Sequence, residues 1–176
     1  MSDWAATLGV LLRERGPDLF GYACLFAASD REAEALLQEA IAHTFRSGRS
    51  EDLQAAAADV KRAIASSFVA TARRSPGEGS RVTGEALEQA TTTEPAPASD
   101  PSLRASLLTL PPLERACVVL HYLDDLPVED IASLVRLPQA AVERHVADGV
   151  ATLHERHPDL DFTEVFTISV ADGRFG

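Results

Sequence analysis

The sequence predicts an all-α fold: two small helical domains joined by a flexible linker, the C-terminal one a helix-turn-helix. Three observations carry this. Apolar residues recur at helical spacing in two blocks, residues 1–74 and 104–157. Between them, residues 75–103 lose that period and turn to Pro, Gly, Ser, Thr and acidic groups. In the second block prolines precede each of three helical patterns: Pro111-Pro112 before Leu113–Leu123, Pro127 before Val128–Val135, and Pro138 before a helix from Gln139 to about Glu155. Proline suits the first helical position, where its missing N–H would be unpaired anyway. A short helix, a tight turn and a longer helix make a helix-turn-helix, whose second helix enters the DNA major groove.

Taken in order, a first helix is expected over Asp3–Arg15 with Ser2 as its cap and Trp4, Leu8, Leu11 and Leu12 on one side. Pro17 restarts a helix through Leu19, Phe20, Tyr22, Ala23 and Phe26. Ser29 stands three residues before Glu32, a capping box that opens a helix to about Phe45, with Leu36, Leu37, Ala40, Ile41 and Phe45 as its stripe. Residues 47–50 read as a turn, followed by an alanine-rich helix over Glu51–Arg74 with Leu53, Val60, Ile64 and Phe68. In the second block the apolar positions are Leu113, Ala116, Cys117 and Leu120, then Ile131 and Leu134, then Ala141, Val142, Val146, Val150 and Leu153. Pro158 ends the last helix, and the tail 158–176 contains a weak alternation at Phe166–Val170 that suits a short strand.

No run of eighteen apolar residues occurs, so no membrane span is expected, and the acidic start lacks a signal-peptide n-region. A cytoplasmic location follows. Cys24 and Cys117 lie far apart on apolar helical faces with no CxxC pair, which reads as two buried reduced thiols, with a redox switch as the alternative. The formal net charge is −11. Residues 1–74 carry nine basic and ten acidic groups, residues 104–157 five and eight, and the linker and tail hold the remaining excess of acid. Neither block is basic, so phosphate repulsion opposes DNA binding by the free chain.

Leu-Pro-Pro-Leu-Glu-Arg (110–115), Leu-His-Tyr-Leu-Asp-Asp-Leu-Pro-Val-Glu-Asp-Ile-Ala (120–132) and Ala-Val-Glu-Arg-His-Val (141–146) resemble the C-terminal domain of a bacterial sigma factor of the sigma-70 family. The closest class is the small extracytoplasmic-function (ECF) type. Leu19-Phe20-Gly21-Tyr22-Ala23, Asp30-Arg31-Glu32, Leu36-Leu37-Gln38-Glu39-Ala40 and Phe45-Arg46 resemble its N-terminal domain. The resemblance implies that 1–74 docks on core RNA polymerase with Gln38 and Glu39 in the contact; the alternative is that this pair is a solvated helix face. It implies that Gln139, Arg144 and His145 read the upstream promoter element, with Arg62, Arg73 and Arg74 supplying basic character for promoter DNA on the alanine-rich helix. An anti-sigma protein is an implied partner, and no cofactor or metal is implied. The acidic linker either mimics nucleic acid inside polymerase or is a solvated tether. The tail either covers a groove, binds a partner, or packs as a terminal lid.

Departures from the family fall where DNA should be touched. Glu143 and Asp148 flank Arg144 and His145, and Val150 and Thr152 stand where relatives carry arginine. Arg136 occupies a turn position where relatives have glycine; a left-handed non-glycine there costs about 1 kcal/mol. Asp59, Ala65-Ser66 and Ala70 stand where relatives place tryptophan, arginine-asparagine and aspartate. Two readings follow: a divergent sigma factor with an unusual promoter, or a sigma-like adaptor or competitor that binds polymerase or an anti-sigma protein without reading DNA. An enzyme finds no support. His154 and His157 share a metal-compatible spacing but lack partner ligands, and Asp124-Asp125 and Glu129-Asp130 are read as complements to a helix dipole.

Overall fold

The computed structural model describes residues 4–46, 52–74, 101–156 and 158. Seven helices and no strand occur among them: α1 (Trp4–Cys24), α2 (Asp30–Phe45), α3 (Leu53–Arg74), α4 (Pro101–Leu108), α5 (Pro112–Tyr122), α6 (Val128–Val135) and α7 (Gln139–Arg156). The Ser2 cap, the 47–50 turn, segment 75–100, His157 and the tail from 159 with its expected strand lie outside the described residues.

Helix α1 corrects one expectation. Pro17 does not restart a helix but sits inside a single one. Proline removes the hydrogen bond to the carbonyl four residues back and normally kinks or breaks a helix. Here Pro17 is exposed, while Leu11 and Leu19 on either side of it are buried in the same core. Packing on both flanks holds the helix together, and water can satisfy the freed carbonyl.

The capping of α2 follows the residues that announce it. Glu32 N donates to Ser29 Oγ at 3.3 Å, and Glu32 Oε2 accepts from Ala28 N at 2.9 Å. Asp52 does the same for α3, accepting from Ala55 N at 3.0 Å. Helices α1, α2 and α3 then close a bundle around Leu11, Tyr22, Phe26, Leu36, Val60, Ile64 and Phe68.

In the C-terminal half, α5, α6 and α7 pack around Cys117, Leu120, Ile131, Val135, Val142 and Leu153. Helix α4 is an element that apolar spacing does not announce; it is only eight residues long, and burial of Ser106, Leu107 and Leu108 holds it. Gly149 lets α7 approach α5 closely, since a Cβ there would stand 2.7 Å from Val118 Cγ2. Both cysteines are free and buried, as expected.

The two halves are not separate in space. Every residue from Arg115 to Leu120 is buried, so α5 is covered all round. One side of it meets α7 and the other meets α3, which also touches α6.

Candidate nucleic-acid interface

The helix-turn-helix is built from α6, the turn 136–138 and α7. Arg136 ends α6 in the left-handed region, at φ 52° and ψ 48°, and its N–H bonds Ala132 O. Leu137 N also donates to Ala132 O, at 3.0 Å, so the turn closes although glycine is missing. Pro138 O then accepts from Ala141 N at 2.9 Å and Val142 N at 3.2 Å, which starts α7.

At this start of α7, Gln139, Glu143 and Arg144 are exposed. Unpaired N–H groups make a helix N-terminus partly positive, which favours a phosphate and offsets some of the missing basic residues. His145 differs from its neighbours: it is half-buried, and Nδ1 is enclosed without a hydrogen-bond partner. Burial, reinforced by Arg144, holds its pKa below the ordinary value. A neutral imidazole at pH 7 can offer a base edge one donor or one acceptor but no charge.

The basic residues on α3 have other partners. Arg62 pairs with Asp59 at 3.0 Å, and Arg74 donates to Ala70 O at 3.2 Å. Arg73 crosses to the other half and donates to Arg136 O at 3.0 Å, so it braces the helix-turn-helix turn. Ala65 is fully buried and Phe68 packs on Phe26 with ring centroids 5.2 Å apart; both belong to the core. Gln38 and Glu39 are exposed on α2.

Between the halves lies a set of polar residues that the sequence reading missed. Arg115 Nη1 donates to Phe26 O at 2.6 Å, while Nη2 reaches Leu110 O at 3.1 Å and Leu108 O at 3.3 Å. Its guanidinium lies over the Phe68 ring, 5.6 Å from the centroid. Burial lowers its pKa to about 10, so it stays charged at neutral pH. Asp124 accepts a hydrogen bond from Tyr22 Oη and pairs with Lys61 at 3.8 Å. Burial raises the Asp124 pKa, with Tyr22 and Lys61 opposing, and lowers that of Lys61. Arg104 joins Asp30 at 3.1 Å. Asp124 therefore does not serve a helix dipole; it faces the other half. Glu129 and Asp130 do lie in the first turn of α6. The run Ala-Cys-Val-Val-Leu at 116–120 was the available signal, because a helix apolar on every face needs cover on both sides.

Residues 101–153 match the family described as Sigma-70, region 4. They carry a sigma-70 region 4 domain. The match runs from the start of α4 almost to the end of α7 and includes the whole helix-turn-helix; it does not extend to α1–α3. No curated protein matches the chain. A region 4 domain implies promoter DNA and RNA polymerase as partners, and sigma-factor domains are non-enzymatic. No described helix is long and apolar enough to cross a membrane.

Proposed function

We propose that this chain is a divergent ECF-type sigma factor that binds core RNA polymerase and directs promoter-specific initiation in the bacterial cytoplasm. The observation that carries the reading is the open start of α7, with Gln139 and Arg144 exposed, inside a helix-turn-helix whose sequence matches region 4. In this reading residues 1–74 form the polymerase-docking domain, with Gln38 and Glu39 in the contact. The acidic linker expected over 75–103 ends at 100, because α4 begins at Pro101; residues 101–157 form the promoter-reading domain, and 158–176 are a tail. Arg144, Gln139 and His145 take the upstream element, and Arg62, Arg73 and Arg74 lie towards the downstream DNA. An anti-sigma protein is the expected regulator.

A second reading is favoured by the net charge of −11 and by the internal partners of the α3 cations. It is an adaptor or competitor that holds polymerase or an anti-sigma protein without reading DNA. Retention of core polymerase on the immobilised chain, followed by transcription from a genomic promoter library, separates the two. Specific transcripts support the sigma factor, and retention without transcripts supports the adaptor. No retention sinks both polymerase-binding readings.

A further inference from the structure

We propose that the region 4 domain is a docked partner of the α1–α3 bundle within the same chain, and that Asp124 is the latch that holds and releases it. The contact joins residues far apart in sequence. Tyr22 and Asp124 are 102 positions apart, and Arg115 and Phe26 are 89 apart. The interface has two kinds of fastening. Arg115 is a buried clamp: its donors end on carbonyls from both halves, just past the C-terminus of α1, where a cation is also favoured by the helix dipole. Asp124 is different. It sits in the turn between α5 and α6 beside a cleft of about 280 Å³, lined by Arg15, Asp18, Lys61, Arg62 and Leu126 among others. Both of its partners, Tyr22 and Lys61, come from the other half. Its backbone bends where Asp125 turns left-handed, at φ 49°. A carboxylate at the solvent edge of an interface, held only by the opposite half, can be released by water entering the cleft; the buried guanidinium cannot.

Docking changes what α3 can offer. Of its four cations, Lys61 is held by Asp124 and Arg73 by Arg136 O, while Ala65 and Phe68 are buried. In the docked chain two of these cations are thus committed to the C-terminal half, while Arg62 and Arg74 stay exposed. What this changes for DNA, unlike the docking itself, rests on the sigma-factor reading.

The test uses the full chain with a specific protease site inserted within residues 75–100. After complete cleavage the two pieces should co-elute on size exclusion. Asp124→Ala should weaken their association by about tenfold to a hundredfold, the effect of losing a hydrogen bond to a charged group, with the helical circular dichroism of each piece retained. Tyr22→Phe, which removes only the hydroxyl, should weaken it less. Separation of the wild-type pieces would overturn docking, and unchanged association in both variants would overturn the latch. Loss of helicity in Tyr22→Phe as well as Asp124→Ala would also overturn it, because the halves would then be one indivisible core. Core polymerase binding is read separately on uncut chains. Gln38 and Glu39 are exposed in the docked chain, so wild type and Asp124→Ala should be retained alike if the sigma-factor reading holds. If polymerase is retained by neither chain, the sigma-factor reading fails while the co-elution result stands.

Discussion

Helices α3 and α7 are the long helices on which DNA contacts are expected, and they stand in opposite environments. The first turns of α7 are open, with Gln139, Glu143 and Arg144 exposed around a free helix start. Helix α3 commits its cations to groups of the same chain: Arg62 to Asp59 on its own exposed face, Lys61 to Asp124 and Arg73 to the carbonyl of Arg136. The comparison teaches that basic residue counts are a poor guide to a DNA surface. Helix α3 has four cations and α7 has only Arg144 and Arg156; Arg62, Arg73 and Arg74 of α3 are exposed but engage other groups of the chain. Partners decide availability, and only the fold supplies the partners.

The largest effect expected from a single change falls on the contact that creates this difference. Arg115→Ala should destabilise the chain by about 3–5 kcal/mol, because buried carbonyls on both halves lose a charged donor. A urea titration reads this directly. A loss under about 1 kcal/mol would mean that the halves are not pinned there. Next comes the packing behind α7. Gly149→Val should cost about 1–3 kcal/mol through overpacking against Val118. Gly149→Ala should cost less, since alanine recovers about 1 kcal/mol of helix propensity.

Arg144→Ala sharpens the comparison on the functional side. If α7 reads bases, promoter affinity of the reconstituted holoenzyme should fall by about 1–3 kcal/mol, and Arg74→Ala should do less. Equal losses would show that α3 and α7 contribute alike. Ser29→Ala, at the cap of α2, should cost about 1 kcal/mol of stability and leave DNA binding unchanged.

A pH response is expected from the buried thiols. Burial lifts Cys24 and Cys117 from 9.0 to about 11. The unfolded chain therefore loses these protons first, and the stability present below pH 9 is lost as pH rises towards about 11. Arg115, held at about 10, acts with the opposite sign above that value. Urea midpoints should decline between pH 9 and 10, and Cys24→Ala with Cys117→Ala should flatten that slope.

Much of the fold was legible because its signals are local. Ser29 and Glu32 cap α2 through groups within a single turn, and Pro112 and Pro138 mark helix starts by a constraint each residue carries itself. The turn at Arg136 was readable for the same reason. Pro17 misled, because its cost to a helix is local while the burial that outweighs it involves Leu11 and Leu19 against other helices. Helix α4 escaped notice because eight residues show too little period. Within the candidate site, motif position singled out Gln139 and Arg144, and both are exposed. The partners of Arg73, Arg115 and Asp124 were not, since each lies across the gap between the halves.

By itself, the sequence determined α2, α3, the Ser29 cap and the helix-turn-helix with its family resemblance, because periodicity, proline and capping act over a few residues. Only the tertiary structure decided that α5 is buried on both sides, that Arg115 and Asp124 face the N-terminal bundle, and that Lys61 and Arg73 of α3 reach across to the other half. Those outcomes depend on which apolar faces find each other, and a buried charge takes its role from the groups that surround it there.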